Sequence, residues 1–183
     1  MKMRSLLLVA LTALLFCGCG EKKPKVLTVY YSLSGNTRAV AEQVQARFGG
    51  DIYEIELAAP YPTDEADAVA QVQKEMETPG FRPQLKGGVE KFADYDVVFI
   101  GSPIWFNTAA SPVFAFAEAH DFTGKTVIPF YTCGGGGEGT YVEDMKAACK
   151  GAAFKTSFGN TRAERQEGVA TDKINTALDR IEL

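Results

Sequence analysis

Hydroxyl and amide side chains cluster in the segment Ser32-Leu33-Ser34-Gly35-Asn36-Thr37, which lies between an apolar run and a helical pattern. A helix N-terminus presents free N–H groups and a partial positive charge, so it attracts an anion. The glycine lets the backbone approach a ligand closely, and the hydroxyls of Ser32, Ser34 and Thr37 can donate hydrogen bonds. The segment has no Lys and lacks the P-loop spacing, so it predicts a phosphate held mainly by neutral donors, without ATP or GTP chemistry. The alternative is a simple helix cap, since Ser, Asn and Thr are common caps.

The single tryptophan lies in a second segment, Ser102-Pro103-Ile104-Trp105-Phe106-Asn107, directly after the most apolar strand pattern of the chain. Aromatic planes suit stacking on a flat ligand ring. Adjacent residues of an extended chain point to opposite sides, so at least one of Trp105 and Phe106 is expected to face outward. The alternative is that both rings fill an edge of the core.

A third segment is rich in glycine: Thr132-Cys133-Gly134-Gly135-Gly136-Gly137-Glu138-Gly139. Its spacing matches GxGxxG, but a dinucleotide site also needs an acidic residue about 20 positions further on. Residues 150–163 contain no Asp or Glu, which argues against NAD binding through this motif. Glycines also let main-chain N–H and C=O groups lie edge-on to a ligand; a flexible surface loop is the alternative.

An alternation of strands and helices positions these three segments. Strands are predicted over residues 26–31, 51–57, 96–101, 126–131 and 152–158, and helices over residues 36–48, 63–77, 111–119, 141–150 and 171–181. Five strands each followed by a helix imply an α/β fold with a doubly wound parallel sheet and helices on both faces. Ligands of such sheets bind at the carboxyl ends of the strands, and each of the three segments follows such an end.

The composition fits one ordinary domain and excludes several functions. The chain has 183 residues, of which 46% are hydrophobic and 23% are charged, as in an average globular protein. With 19 basic and 23 acidic residues and no long basic run, it is not expected to bind nucleic acid. Its single histidine, His120, rules out a multi-histidine metal site, and no metal is expected.

The N-terminus predicts export. A basic start, Met1-Lys2-Met3-Arg4, precedes an apolar run from Leu6 to Phe16 that is shorter than the roughly 20 residues of a spanning helix, as in a secretory signal. Cys17-Gly18-Cys19-Gly20 resembles the lipobox of bacterial lipoproteins, and Cys19 fits as the lipidated residue because Gly18 is small. We therefore expect a signal peptide over residues 1–18, a lipidated tether over 19–25 and a domain over 26–183, anchored to a membrane of the bacterial cell envelope. The alternatives are a plain signal peptide cut nearby and an uncleaved anchor.

Removal of the signal would change the charge and the cysteine content. Without Lys2 and Arg4, 17 of the 19 basic residues remain against 23 acidic ones, so the net charge changes from −4 to −6. Besides Cys19, the mature chain keeps Cys133 and Cys149. An oxidising compartment permits a bridge between these two, but two separate reduced thiols are equally compatible with the sequence.

Taken together, the three segments resemble the flavodoxin family, over the whole chain from Val26 onward. Residues 29–37 are similar to its FMN-phosphate segment, residues 101–106 to its first isoalloxazine loop, and residues 132–137 to its second. The resemblance implies a 2-1-3-4-5 sheet of the short-chain form, non-covalent FMN and low-potential electron transfer. The implied FMN-binding residues are Ser32, Ser34, Gly35, Asn36, Thr37, Ser102, Pro103, Ile104, Trp105, Phe106, Asn107, Thr132, Cys133, Gly134, Gly135, Gly136 and Gly137.

One departure from the family pattern concerns the second loop. It lacks the acidic or aromatic stacking residue that is often found there, unless Glu138 or Tyr141 supplies it. Trp105 is then the expected ring stacker. The expected function is a monomeric electron carrier that docks with redox partner proteins. An FMN enzyme that reduces a quinone or nitro compound with NAD(P)H, and a binding lipoprotein that has lost FMN, are the alternatives.

Overall fold

The structure is a computed structural model that describes residues 23–183. The predicted signal peptide, residues 1–18, and the predicted lipidation site Cys19 lie outside the described residues. Among the helices within residues 23–183, none has the length and apolar character needed to cross a membrane.

The described chain alternates strands and helices, as the sequence predicts. The strands are β1 (Val26–Tyr30), β2 (Asp51–Glu54), β3 (Val97–Trp105), β4 (Thr108–Ala109), β5 (Thr126–Cys133), β6 (Ala153–Phe154) and β7 (Phe158–Thr161). The α-helices are α1 (Asn36–Phe48), α2 (Glu65–Met76), α3 (Ser111–Glu118), α4 (Tyr141–Ala148), α5 (Arg162–Gln166) and α6 (Ala170–Leu178), with a 3-10 helix at Phe92–Asp94.

The sheet has the predicted order. β2, β1, β3 and β5 are parallel neighbours, and the next position is shared by β6, beside the start of β5, and β7, beside its end. The short β4 pairs antiparallel with β3 at the end of the latter. If β4 is left out, β6 and β7 are counted as one strand, and the strands are renumbered in chain order, the sheet order is 2-1-3-4-5. This order confirms the predicted flavodoxin-like α/β fold.

Two apolar layers cover the two faces of the sheet. Alternate residues of the strands point to opposite faces, so Val29 and Ile100 belong to one buried cluster while Tyr30 and Phe99 belong to the other. Helices α3 and α4 pack on the first face, and α1 and α6 pack on the second. Because both faces are covered, the ends of the strands are the part of the sheet left for a ligand.

Two of the predicted strands are longer than the sequence analysis expected. β3 continues from the predicted end at Gly101 to Trp105, because Ser102 and Pro103 keep pairing with β5. Phe106 and Asn107 then adopt left-handed backbone angles (φ 47° and 74°), which make a tight hairpin into β4. The segment 102–107 is therefore the end of a strand and a turn, where a plain loop was predicted. Likewise, Thr132 and Cys133 are the last residues of β5.

The predicted fifth strand, residues 152–158, was wrong in extent. Residues 155–157 are polar and largely solvent-exposed, and they separate β6 from β7. Gly159 in β7 lies so close to Tyr131 that a Cβ atom would stand 2.3 Å from the Tyr131 carbonyl oxygen. The short helix α5 that follows was not predicted, although Thr161 and Glu164 form a capping box at its start, a pattern the sequence does contain.

Cys133 and Cys149 are both buried free thiols, so these two residues form no disulfide bond with each other in the structure. Burial raises the pKa of the Cys149 thiol to about 12. A thiol with so high a pKa is a poor nucleophile, because the thiolate is the reactive form.

Candidate functional site

A cavity of about 930 Å³ lies at the carboxyl ends of β1, β3 and β5, within the size range of small-molecule sites. Residues from all three predicted segments line it. These are Ser32, Ser34, Asn36, Thr37, Pro103, Ile104, Trp105, Phe106, Thr132, Cys133 and Gly134. The sheet topology thus brings together at one place segments that are up to about a hundred residues apart in the chain.

The other predicted site residues do not line this cavity: Gly35, Ser102, Asn107, Gly135, Gly136 and Gly137. Two of them support the hairpin that carries Trp105. The Ser102 hydroxyl accepts a hydrogen bond from the Ala110 N–H (2.9 Å) and donates one to the Pro103 carbonyl (2.8 Å). The Asn107 carbonyl accepts a hydrogen bond from the Thr140 N–H (2.7 Å).

The hydroxyl-rich segment begins α1 without capping it. Gly35, at φ 83°, occupies the N-cap position, where the helix has no side-chain cap hydrogen bond. Thr37 and Thr132 are buried, and their hydroxyl oxygens lie 2.9 Å apart. The Ser32 hydroxyl oxygen is buried at the cavity without a hydrogen-bond partner in the described chain. The helix-cap alternative is not supported, because no side chain of this segment caps α1.

An aromatic cluster forms one wall of the cavity. The Trp105 ring lies edge-on to Tyr31 (5.7 Å between centroids, 81°) and to Tyr61 (5.2 Å, 86°). The Tyr61 hydroxyl donates to a Glu75 carboxylate oxygen at 2.6 Å. Burial raises the pKa of both Tyr31 and Tyr61 above the ordinary value. Phe106, in contrast, is 46% exposed, which confirms that one of the two adjacent rings faces outward.

The cavity also extends to residues after β2 that sequence reasoning missed. Ile55, Leu57, Ala68 and Val72 contribute an apolar lining, beside an ion pair between Glu56 and Lys86 (2.9 Å). No motif marks these positions, because they are ordinary apolar residues of a strand end and a helix. The one sequence signal for them is the alternation of apolar residues in that region.

Two arginines of α5, Arg162 and Arg165, line the cavity as well. Arg165 donates to the Asn160 side-chain oxygen (2.5 Å) and to the Cys133 carbonyl (3.2 Å). The backbone N–H of Arg162 donates to the Gly134 carbonyl (3.3 Å). The expectation of mainly neutral donors came from residues 32–37 alone, and α5 adds two cationic side chains to the wall of the same cavity.

Of the four glycines at residues 134–137, Gly134 lines the cavity. A Cβ atom placed on Gly134 would have no atom within 4 Å. Neither of the two candidates for a stacking residue lines the cavity: Tyr141 is fully buried and donates to the Ile100 carbonyl (2.7 Å), and Glu138 accepts a hydrogen bond from Ser157. Trp105 is therefore the aromatic residue of the predicted set that is both half-buried and held in place at the cavity.

Comparisons with known proteins agree with this geometry. Residues 25–170 match the family Flavodoxin. The chain is similar to the crystal structures of two candidate flavoproteins, from Bacteroides eggerthii (34% identity, TM-score 0.72, 87% of this chain and 99% of that one) and Bacteroides uniformis (29%, 0.74, 87% and 100%). A flavoprotein in complex with FMN from Lactobacillus acidophilus shares the fold (20%, 0.63, 79% and 97%). The comparison with curated proteins finds no match.

Proposed function

This chain belongs to the flavodoxin family, and we propose that it binds FMN and carries electrons at low potential between redox partner proteins. The observation that carries the proposal is the meeting of the hydroxyl-rich, tryptophan and glycine-rich segments at one cavity. The shared fold of a flavoprotein whose structure contains FMN supports it. FMN would supply the reversible uptake of electrons, and the protein would bind and orient it.

The residues present fit a flavin mononucleotide. The unpaired Ser32 hydroxyl, with Ser34, Asn36 and Thr37, would donate to the phosphate at the N-terminus of α1. Trp105 would stack on the ring, and because Tyr31 and Tyr61 hold its plane in the free protein, little side-chain entropy would be lost on binding. The backbone at Gly134, where a Cβ atom would have no neighbour within 4 Å, would lie edge-on to the ring.

A titration with FMN tests the proposal. We expect saturable quenching of the flavin fluorescence at one FMN per chain, with quenching of the Trp105 fluorescence, which is easily followed because the chain has one tryptophan. Trp105→Phe keeps a ring and should bind almost normally, whereas Trp105→Ala should bind about 1 kcal/mol more weakly or worse. Protein that stays colourless and leaves flavin fluorescence unchanged would refute FMN binding and favour a binding lipoprotein that has lost the cofactor.

A second candidate function is an FMN-dependent oxidoreductase that reduces a quinone or nitro compound with NAD(P)H. The apolar extension of the cavity toward Ile55, Leu57 and Val72 favours it, because a planar acceptor could lie there beside a flavin. Steady consumption of NADH or NADPH with a small acceptor, without an added reductase, would support the enzyme. Electron transfer that requires a partner protein would support the carrier.

Membrane anchoring through Cys19 is a further part of the proposal, and its support is the lipobox-like sequence. In a bacterial host, Cys19→Ala should move the protein from the membrane fraction to the soluble fraction, and it should abolish labelling with a fatty-acid analogue. Cys17→Ala is the matched control and should leave both unchanged. Unchanged membrane association of Cys19→Ala would contradict lipidation at this residue.

A further inference from the structure

The chain enters the domain at the end of the sheet that lies opposite to the cavity. The Lys25 carbonyl accepts hydrogen bonds from the backbone N–H groups of Asp96 (2.9 Å) and Val97 (3.2 Å), and the Lys25 N–H donates to an Asp96 carboxylate oxygen (2.7 Å). The Thr126 N–H in turn donates to the Asp96 carbonyl (2.9 Å). These residues therefore mark the amino ends of the parallel strands β1, β3 and β5.

The cavity lies at the carboxyl ends of the same three strands, where Ser32 and Trp105 line it. The path from Lys25 along β1 to Ser32 covers up to about 23 Å at 3.3 Å per residue. A compact chain of the length of residues 23–183 has a radius of gyration of about 15 Å and, as a sphere, a diameter of roughly 40 Å. Lys25 and the cavity thus lie on opposite sides of the domain.

The lipid anchor proposed at Cys19 is joined to the amino end of the sheet by a short segment. Lys25 follows Cys19 by six residues, which reach at most about 22 Å. The hydrogen bonds with Asp96 and Val97 attach Lys25 to the sheet, and its ammonium group pairs with Asp94 (3.7 Å), so the chain after Lys25 adds no reach. The anchor would therefore keep this end of the sheet within about 22 Å of the bilayer surface.

This reach is too short for the domain to turn its cavity onto the membrane. A cavity in contact with the bilayer would place Lys25 roughly 40 Å from the bilayer surface, the diameter of the domain, and the segment reaches only about half that distance. Even with the segment fully extended, the cavity end of the sheet would stand about 18 Å or more above the surface. A quinone dissolved in the bilayer would therefore not touch a flavin in the cavity.

We propose that the anchored domain presents its flavin to the aqueous phase and exchanges electrons with water-soluble redox proteins, and that quinones dissolved in the membrane are not its direct partners. The proposal rests on the proposed FMN binding and on lipidation at Cys19, and it names the class of partner. Electrons pass between the flavin and the redox group of the partner, one being oxidised as the other is reduced, so no further reactant is needed. The same geometry restricts the alternative oxidoreductase function to acceptors dissolved in water.

Quenching of the single tryptophan tests the orientation without any flavin. The lipidated protein is inserted into phosphatidylcholine vesicles whose headgroups carry a nitroxide, a quencher that acts only at close range, and flotation of the vesicles shows that the protein is bound. The emission of Trp105 should stay unchanged. The matched control combines Trp105→Phe with Lys23→Trp, which moves the tryptophan to an exposed position four residues after Cys19. Its emission should fall about twofold or more, since tryptophan favours the membrane interface.

Equal quenching of the two tryptophans would overturn the orientation. Protein that does not float with the vesicles would overturn lipidation at Cys19 and the inference with it.

A kinetic comparison tests the class of partner. FMN-loaded protein, reduced beforehand in the absence of oxygen, is mixed with vesicles that contain a long-tailed quinone, which takes two electrons and two protons from the reduced flavin and becomes the quinol. If the cavity reached the bilayer, the anchor would raise the local quinone concentration, and the lipidated protein would react about a hundredfold faster than Cys19→Ala. We expect no acceleration by the anchor, and equal rates of both proteins with ferricyanide, a one-electron acceptor dissolved in water.

Acceleration by the anchor, or slower oxidation of the anchored protein by ferricyanide, would refute the aqueous class of partner while FMN binding stands. Failure of the protein to bind FMN would overturn the proposed function and the class of partner together, and the tryptophan measurement would still report the orientation of the domain.

Discussion

A methyl group added at Gly101 should destabilise the protein strongly. The residue faces Phe130 across β3 and β5, and a Cβ atom would stand 2.1 to 2.8 Å from three carbons of that ring. Phe130 is fully buried, so the ring cannot move away without disturbing the core. Overpacking of this kind costs about 3 kcal/mol, and for a domain of this size the melting temperature should fall by roughly 6–12 °C.

The same substitution at Gly134 should leave stability unchanged and weaken flavin binding. Gly134 has no atom within 4 Å of a Cβ position, and its φ lies outside the left-handed region, so alanine fits the free protein. The methyl group would instead occupy the space where the flavin ring approaches the backbone. We expect at least a tenfold weaker affinity, about 1.4 kcal/mol.

Thermal unfolding and FMN titration of both variants separate the two effects. Gly136→Ala is the matched control, because it lies in the same loop with equally open space but does not line the cavity. An unchanged melting temperature for Gly101→Ala would refute the packing argument. Normal FMN affinity of Gly134→Ala, or an equal loss of affinity in Gly136→Ala, would refute the placement of the ring.

Three further predictions follow from buried polar groups. Tyr141→Phe removes the 2.7 Å hydrogen bond to the Ile100 carbonyl and should lower the free energy of unfolding by about 1–2 kcal/mol; an unchanged urea midpoint would contradict this. Burial, together with the hydrogen bond to Asp51, raises the pKa of Tyr95 to about 12. The free energy of unfolding should therefore be unaffected by Tyr95 below pH 10, the ordinary tyrosine value, and should fall as the pH rises toward 12, because the unfolded chain ionises first. Urea unfolding from pH 9 to 12 measures this fall, and a flat profile would count against it. A thiol reagent at pH 8 should modify Cys149, whose pKa is about 12, only when the protein unfolds, and rapid labelling of Cys149 in the native protein would refute this. Bound FMN should protect Cys133, which lines the cavity. Equal labelling of Cys133 with and without FMN would refute that protection.

Most of the fold could be predicted from the sequence, because its periodicities are local. The bounds of α1 at Asn36 and Phe48 agree with the predicted ones, since apolar residues recur every fourth position and Gly49 ends the helix. The end of β3 could not be predicted in the same way. Pro103 looks like a strand terminator in sequence, but it continues the pairing with β5, and only the neighbouring strand makes that possible.

The part of the candidate site that carries a sequence motif could be predicted. The part that is assembled only by the tertiary structure could not. Residues 32–37, 102–107 and 132–137 have unusual compositions, and each contributes to the cavity. Tyr31 and Tyr61 read as ordinary residues of a strand and a loop, and their role depends on contacts with Trp105. Arg162 and Arg165 reach the cavity because α5 begins beside the end of β5, an arrangement that depends on the unpredicted division between β6 and β7.

A crystal structure of the protein grown with FMN tests the central claim most directly. The account predicts one FMN at the carboxyl ends of the strands, with its phosphate at the segment 32–37 and its ring against Trp105 and the backbone at Gly134. An FMN bound elsewhere, or a cavity closed by the side chains of its own walls while the nucleotide stays in solution, would contradict it.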